Sequence, residues 1–336
     1  MPTKITTKRC NSILCQRFRP NGRKNFSLNG IVSRVTDALD AILDAERPDA
    51  ILVQGDTSTA LAGALAGFNR QVPVGHIEAG LRSGNKMSPF PEEMNRQLIS
   101  RIAVHHFAAT ERNVTALVQE GVPAESVHCT GNTVIDALSY TMKNSRLSDG
   151  LAALLERTKG KKRIVLTTHR RESFGGVMAG NLQMLRDYVA AHEELCLIFP
   201  VHPNPNVRAL ANEVLGNTGR VHLIEPLSYE QFVLLLSNAW VLVSDSGGVQ
   251  EEAPTLGKSL MIIRENTERP EAVSCGVGRL VGESPLALKS ALDDAMGSTD
   301  WFDTAKNVEN PFGDGMAATR IAEVMLKNFS RRAATL

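Results

Sequence analysis

The sequence is poor in residues that mark several large protein classes. It has 336 residues and only 5 cysteines, Cys10, Cys15, Cys129, Cys196 and Cys275, which show no metal-type spacing. Scattered cysteines fit a reducing compartment, so we expect a cytoplasmic protein without a metal site. No apolar run reaches the length of a membrane span, and no signal-peptide core precedes a small-residue cleavage site. The sequence therefore predicts neither a secreted disulfide scaffold nor a membrane protein.

An excess of charge of one sign is also missing. Lys and Arg number 37 against 36 Asp and Glu, so the net charge of +1 creates no field that would draw the chain to nucleic acid. The balance is uneven locally, because residues 1–28 carry basic side chains and no acidic one. This opening segment lacks hydrophobic periodicity, and we expect it to be irregular and disordered. Its composition also resembles a transit peptide, although the rest of the chain gives no support for an organelle.

From residue 29 onward, short apolar runs alternate with helical patterns. The predicted strands are 50–53, 72–77, 103–108 and 127–129, then 163–167, 195–199, 221–224, 240–243 and 260–263. Continuous apolar strands that alternate with helices indicate parallel sheets covered on both faces. The two blocks predict an α/β protein of two doubly wound domains, residues 29–145 and 160–314. A final helix over 315–330 is expected to pack back across the linker.

Polar clusters follow the predicted strands, where ligands bind in doubly wound sheets. In the first half these clusters contain carboxylates, namely Asp56, Glu78 and Glu92. Each also has a simpler explanation. Asp56 is a good helix N-cap, Glu78 is placed for an ion pair with Arg82, and Glu92 suits the acidic first turn of a helix.

The second-half loops carry groups that suit a diphosphate. Ser246, Gly247 and Gly248 follow a buried strand and open a helix predicted to end at residue 256. Unpaired N–H groups at such a helix start form a seat for a phosphate. His169 and Arg170 follow another strand, and both donate charge-assisted hydrogen bonds. The alternatives are an ordinary strand–helix turn and a solvated basic turn. Together the halves predict acid/base groups on one domain and a nucleotide diphosphate on the other.

Several ordered motifs resemble those of the non-hydrolysing UDP-N-acetylglucosamine 2-epimerases. They are GDTST, GHIEAGLRSG, SPFPEEMNR, TGNTVIDAL, THRRESFGG, PVHPNPNV and SDSGGVQEEAPTLGK, and they run from about residue 28 to residue 282. The resemblance implies a glycosyltransferase-B-like fold of two Rossmann-like domains. It also implies a homodimer that interconverts UDP-GlcNAc and UDP-ManNAc for cell-envelope polysaccharides, without NAD, metal or another cofactor.

The resemblance further implies roles for individual residues. The catalytic positions correspond to Asp56, Glu78, Glu92 and His169. The UDP-binding positions correspond to His169, Phe232, Ser246, Gly247, Gly248, Glu252 and Arg269. Possible substrate or regulatory contacts correspond to Arg96, Arg170 and His202. The implied chemistry is elimination of UDP to 2-acetamidoglucal, followed by re-addition with the proton delivered to the other face of C2.

One feature of the family has no counterpart here. The family begins with a strand and a Gly-Thr-Arg-Pro-Glu loop, which residues 1–28 do not resemble. The first domain then lacks roughly one βαβ unit, about 30 residues, so we expect turnover and stability below those of a full-length relative. Three alternative functions stay open: an epimerase of a related UDP-sugar, a glycosyltransferase of similar fold, and an inactive UDP-sugar binder.

Overall fold

A computed structural model of the chain describes residues 27–168, 176–216 and 218–333, with side chains as far as residue 327. Within these ranges the chain forms two parallel sheets, one in each of two lobes. The first lobe contains β1 (Ile51–Gln54), β2 (Val74–Ala79), β3 (His105–Ala108) and β4 (Val127–Cys129), in the order β1-β2-β3-β4. The second lobe contains β5 (Lys162–Thr167), β6 (Leu195–Pro200), β7 (Val221–Ile224), β8 (Val241–Ser244), β9 (Leu260–Ile262) and β10 (Gly278–Leu280), in the order β10-β9-β8-β5-β6-β7.

Helices connect the strands in regular alternation. In the first lobe they are α1 (Leu28–Glu46), α2 (Ser58–Asn69), α3 (Glu92–Ile102), α4 (Glu111–Gln119) and α5 (Thr133–Asn144), with a 3₁₀ turn at Ala124–Ser126. They continue with α6 (Asp149–Arg157), α7 (Gly176–Ala191), α8 (Pro205–Leu215), α9 (Tyr229–Ser237), α10 (Gly247–Leu256), α11 (Glu271–Ser274), α12 (Pro285–Gly297), α13 (Asp300–Asn307) and α14 (Ala317–Ala333).

The second lobe has a large apolar core on both faces of its sheet. Every residue of β8 is buried, and Phe199 of β6 lies in the core together with residues of α7, α8 and α12. The opposite face packs against α6, α9 and α10. Continuous apolar strands are what parallel sheets covered on both sides require, so this sheet forms a rigid base for the loops at its carboxyl edge.

The first lobe is smaller, and its core is divided among several clusters. Helix α2 lies close to the sheet because Gly67 has no side chain, and a Cβ there would lie 2.4 Å from Ile51 Cδ1. On the other face, Phe107 packs against Ile321 and Met325 of α14. The strand β1 pairs only with β2 within the described residues. Its Leu52 side chain is 49% exposed.

The last helix returns from the second lobe to the first. The carboxylate of Asp136, on α5, accepts hydrogen bonds from Ala317 N at 3.1 Å and from Ala318 N at 2.9 Å. These contacts cap the start of α14, whose remaining turns cover Phe107. The helix begins at Ala317, two residues later than the sequence predicted.

Other predicted boundaries also differ from the structure, most of the strand ends by a single residue. Ser27 caps α1 and Leu28 lies within it, so the predicted irregular segment 1–28 is wrong at its last two residues; residues 1–26 lie outside the described residues. The strand predicted over 72–77 runs from Val74 to Ala79, because the bulge described below extends it. The strand predicted over 103–108 begins at His105, and β10 was not predicted.

Among the described residues, no helix is both long and apolar enough to cross a membrane.

Candidate active site

The start of α10 opens toward the other lobe at the carboxyl edge of the second sheet. Ser246 is the N-cap, and its side chain makes no capping hydrogen bond. The helix runs from Gly247 to Leu256 and stops at Gly257, whose φ of 62° is left-handed, as the sequence predicted. A helix start without a capping side chain leaves N–H donors for an anion.

Arg269 lies directly against this helix start. A Cβ at Gly247 would come within 2.6 Å of Arg269 Nη1, so the glycine is needed for the guanidinium to occupy this position. Burial lowers the pKa of Arg269, but the carboxylates of Glu251 and Glu78 outweigh it and raise that pKa above its ordinary value. The seat therefore combines backbone donors with a permanent positive charge.

Glu78 reaches Arg269 from the opposite lobe. Its Oε1 lies 3.3 Å from Arg269 Nη2, at the end of β2. The backbone of Glu78 has a φ of 65°, and the register of β2 against β3 shifts between Ile77 and Ala79. A left-handed non-glycine residue in a bulge is strained, and such strain is concentrated at functional sites.

The surroundings of Glu78 raise the pKa of its carboxyl group. Burial, with the negative charge of Glu251, raises the pKa of Glu78 to about 7, although Arg269 opposes the shift. A carboxyl group with this pKa exchanges protons in both directions near pH 7. The alternative ion pair with Arg82 is wrong, since Arg82 binds Glu120 with Nε–Oε1 at 2.7 Å.

Asp56 lies near Glu78, and its carboxylate forms an ion pair with Arg96. The Asp56 carboxylate accepts hydrogen bonds from Arg96 Nε at 2.9 Å and Nη2 at 2.7 Å. The interpretation of Asp56 as a helix cap is wrong, because Thr57 caps α2. Arg96 is buried, and its Nη1 also donates to Glu93 Oε2 at 3.0 Å. It is thus placed to orient Asp56.

The two adjacent glutamates at the start of α3 have different environments. Glu92 is partly exposed in the first turn of the helix. Glu93 is fully buried, and it accepts hydrogen bonds from Ser83 N at 2.8 Å and from Arg96. Of the pair, only Glu92 is accessible to a ligand.

The remaining predicted UDP-binding residues lie around α9 and α10. Tyr229 OH donates a hydrogen bond to Glu252 Oε1 at 2.8 Å, and burial raises the pKa of Glu252 to about 7. Phe232 packs against the apolar core between the second sheet and helices α6, α9 and α10. His202 follows β6 and is exposed. His169 and Arg170 lie outside the described residues.

Two residues of the boundary between the lobes make contacts that the sequence did not indicate. Glu251 Oε1 lies 2.5 Å from Arg269 Nε, and its Oε2 accepts a hydrogen bond from Asn132 Nδ2 at 3.0 Å. Asn132 belongs to the first lobe, where it also caps α5. Both residues stand inside quoted motifs, but nothing in their spacing indicates that they meet.

No group of three or more His, Cys, Asp or Glu side chains is placed to hold a metal ion in the part of the chain that the structure describes.

Sequence comparisons place the chain among proteins of one kind. The family model described as UDP-N-acetylglucosamine 2-epimerase matches residues 20–326. A probable UDP-N-acetylglucosamine 2-epimerase of Ralstonia solanacearum is 44% identical over 305 residues, which cover 89% of this chain and 81% of that protein. The UDP-N-acetylglucosamine 2-epimerase of Escherichia coli K12 is 42% identical over 306 residues, with 90% and 81% coverage.

Solved structures agree in fold. A UDP co-structure of the Staphylococcus aureus protein MnaA superposes with a TM-score of 0.87 at 38% identity, and covers 94% of this chain and 85% of that one. A UDP-GlcNAc 2-epimerase from Neisseria meningitidis, bound to UDP-GlcNAc, gives a TM-score of 0.85 at 38% identity, with 91% and 84% coverage. The predicted glycosyltransferase-B-like α/β fold is therefore confirmed.

Proposed function

Because the chain belongs to the UDP-N-acetylglucosamine 2-epimerase family, we propose that it interconverts UDP-GlcNAc and UDP-ManNAc. One observation supports this most directly: a carboxyl group of the first lobe, Glu78, touches the cation Arg269 beside the open helix start of the second lobe. A sugar diphosphate bound between the lobes would put its phosphates on the second lobe and its sugar ring against the carboxylates.

The reaction divides into elimination and re-addition. The bond between C1 and the diphosphate oxygen breaks, and its electron pair leaves with UDP. The C2 proton passes to a carboxylate as the C1–C2 double bond forms. UDP then adds back to C1 on the face that it left, and a proton is delivered to the opposite face of C2, which inverts the configuration at C2. We assign the proton transfers to Asp56, Glu78 and Glu92 together, and Glu78 has a pKa of about 7 that suits both directions.

Stabilisation of the departing diphosphate falls to the second lobe. Negative charge builds on UDP as the bond breaks, and fixed donors aimed at it lower the barrier. We assign this role to the N–H groups of Gly247 and Gly248 with the side chain of Arg269, and we add His169 from the sequence motif. Phe232, Ser246 and Glu252 complete the proposed UDP site.

The decisive test uses UDP-GlcNAc as the only substrate, in D₂O. We expect UDP-ManNAc to form and both sugars to gain deuterium at C2. Glu78→Gln should lower the rate about 10² to 10⁴-fold, the usual contribution of one acid/base group. Glu120→Gln is the matched control, since Glu120 pairs with Arg82 and not with Arg269.

The alternatives give different results in the same assay. Product that appears only with an added acceptor indicates a glycosyltransferase, and UDP binding without exchange at C2 indicates a binder. The reduced turnover expected from the altered opening segment stays a prediction, which the wild-type rate measures. We further propose a homodimer in the cytoplasm, and light scattering of the purified chain tests the dimer.

A further inference from the structure

Glu251 is a buried carboxylate that the proposed chemistry does not use. It lies on α10, directly before Glu252, and is 3% exposed. Both of its oxygens are engaged, one by Arg269 Nε at 2.5 Å and the other by Asn132 Nδ2 at 3.0 Å. Burial raises the pKa of Glu251, while the charge of Arg269 and the hydrogen bonds from Arg269 and Asn132 favour its ionised form and oppose this shift.

Arg269 is shared between carboxylates of the two lobes. Its Nε faces Glu251, and its Nη2 faces Glu78 at the longer distance of 3.3 Å. Nη1 lies beside Gly247 and within 3.5 Å of Glu268. The short contact fixes the guanidinium, so that the contact with Glu78 stays loose enough for Glu78 to gain and lose a proton.

Asn132 connects this arrangement to the position of the lobes. It donates to Glu251 from the first lobe, while its Oδ1 caps α5 by accepting from Val134 N at 3.1 Å. Its backbone N–H donates to Phe312 O at 2.7 Å, on the segment that leads back to α14. Glu251 is thus held by a residue whose own position is fixed by two further hydrogen bonds, one with Val134 N and one with Phe312 O.

We propose that Glu251 is a positioning residue, which holds Arg269 against the helix start and in loose contact with Glu78, and which ties this geometry to the observed arrangement of the lobes through Asn132. The proposal rests on the proposed function, because it assigns Glu251 a part in the same reaction. It adds a residue that never touches the substrate but sets the protonation of one that does.

A consequence for pH dependence follows from the charges. Two carboxylates that share one guanidinium repel each other, and this repulsion helps burial to raise the pKa of Glu78 to about 7. Loss of the Glu251 charge removes the repulsion and leaves Arg269 to act on Glu78 alone, so both effects lower the pKa of Glu78. The groups that face the pair are Asp56, Arg96, Glu252, Glu268, Arg269 and Glu271.

The test measures protons taken up when UDP binds, by calorimetry in buffers of different ionisation enthalpy between pH 5 and 9. UDP is an anion placed near Glu78, so its binding should raise the pKa of Glu78 and draw in a proton near neutral pH. In Glu251→Gln we expect the pH of maximal uptake to fall by about one unit, the lower end of shifts caused by a nearby charge. The inflection of kcat/KM should fall with it.

Two variants separate positioning from structural support. Glu251→Asp keeps the charge and should return the uptake maximum toward the wild-type pH. Glu271→Gln is the matched control, since Glu271 also joins the lobes, by accepting from Thr110 Oγ1 at 2.7 Å, without a hydrogen bond to Arg269. Its charge acts on Glu251 and not directly on Glu78, so we expect its uptake maximum to move less than that of Glu251→Gln.

Asn132→Ser covers the case that Glu251→Gln fails to fold. Serine keeps a capping side chain for α5 but does not reach Glu251, and it should shift the uptake maximum in the same direction by less. An unchanged maximum in folded Glu251→Gln, or in folded Asn132→Ser if the first variant does not fold, overturns the proposal. UDP binding without any turnover overturns the proposed function instead, and the calorimetric shift still decides the role of Glu251.

Discussion

The two lobes share one architecture but differ in where their buried ionisable residues lie. In the second lobe the strand β8 is buried along its whole length. The buried ionisable residues of that lobe lie beyond the strand ends, namely Asp245, Glu251, Glu252, Arg264 and Glu268. The first lobe buries an arginine, a glutamate and two histidines, namely Arg96, Glu93, His76 and His106. Apolar burial gives stability at little cost, whereas buried charges must be paired to be tolerated.

This difference assigns the lobes different tasks. The second lobe provides a rigid edge, on which the α10 helix start and Arg269 are fixed for a diphosphate. The first lobe carries the carboxylates to which we assign the proton transfers, and groups whose protonation changes need burial together with nearby charges. We expect the first lobe to be the less stable of the two, because its core is smaller and the strands of its sheet contain the buried histidines His76 and His106.

Arg96→Met is the change with the largest expected effect on this comparison. It leaves Glu93 buried without its cation and releases Asp56, and removal of one partner from a buried pair typically costs about 3–5 kcal/mol. Hydrogen exchange should show lost protection in β2, β3 and α3, while β6 and β8 keep theirs. Arg70→Met, which removes an exposed pair with Asp40 in the same lobe, should change neither. Equal losses in both lobes would contradict the comparison.

Acid should weaken the first lobe before the second. Burial lowers the pKa of His76 and of His106 from 6.5 to about 4 in the folded state. The unfolded chain then binds protons that the folded chain excludes, so stability falls as the pH drops from about 6.5 to about 4. Each shift corresponds to roughly 3 kcal/mol.

The second lobe should respond in the opposite sense. Burial raises the pKa of Glu252 from 4.5 to about 7, so its contribution is lost as the pH rises through that range and is regained on acidification. Glu78 acts the same way within the first lobe, but two histidines oppose it there. Hydrogen exchange under increasing denaturant, at pH 7 and at pH 5, measures how the stability of each lobe changes with pH. In His106→Leu the pH dependence of the first lobe should flatten, and an unaltered slope would show that His106 is not its source.

Gly247→Ala should produce a moderate effect confined to the second lobe. The new Cβ meets Arg269 Nη1 at 2.6 Å, and overpacking of this kind typically costs about 1–3 kcal/mol. UDP binding should weaken because the guanidinium is displaced. At Gly248 the nearest atom to a Cβ is Ser246 Oγ at 3.9 Å, so Gly248→Ala is the matched control for stability. Equal destabilisation by both substitutions would mean that Arg269 does not lie against Gly247.

Asp136→Asn has the smallest expected effect on stability, and it tests the contact by which α14 is joined to the first lobe. It weakens the cap that Asp136 gives to the start of α14, and loss of a cap typically costs about 1 kcal/mol. We expect a small loss of protection in α14 and β3. The control is Asp303→Asn, which disrupts an exposed pair with Lys306 away from α14 and should leave the unfolding transition in place.

The sequence predicted the alternation and the helix start well, because both depend on neighbours along the chain. The apolar run 240–243 followed by Ser246 and two glycines led to the helix that ends before Gly257, as observed. The predicted ends of the strands were less accurate where a strained backbone, such as that of Glu78, extends a strand. The extension of β2 through Glu78 depends on a bulge against β3, and no local pattern indicates one.

The partners of charged residues were the part that local reasoning missed. Arg82 pairs with Glu120 instead of the nearby Glu78, and Glu251 meets an asparagine 119 positions earlier in the chain. These pairs form only when helices from distant parts of the sequence pack together. The motif identified Glu252 as a UDP-binding position, whereas the contacts of Glu251 become visible only in the folded structure.

The return of α14 to the first lobe has a consequence for how this protein is made. Domains usually fold as they leave the ribosome, the N-terminal one first. Here Phe107 stays uncovered until the segment after residue 316 has been synthesised, a delay of roughly 10–40 s at ordinary translation rates. Chains truncated after residue 314 should therefore be cut by protease in the first lobe and resist it in the second. Premature termination near the end of the message would leave the earliest-made half of the enzyme exposed to degradation.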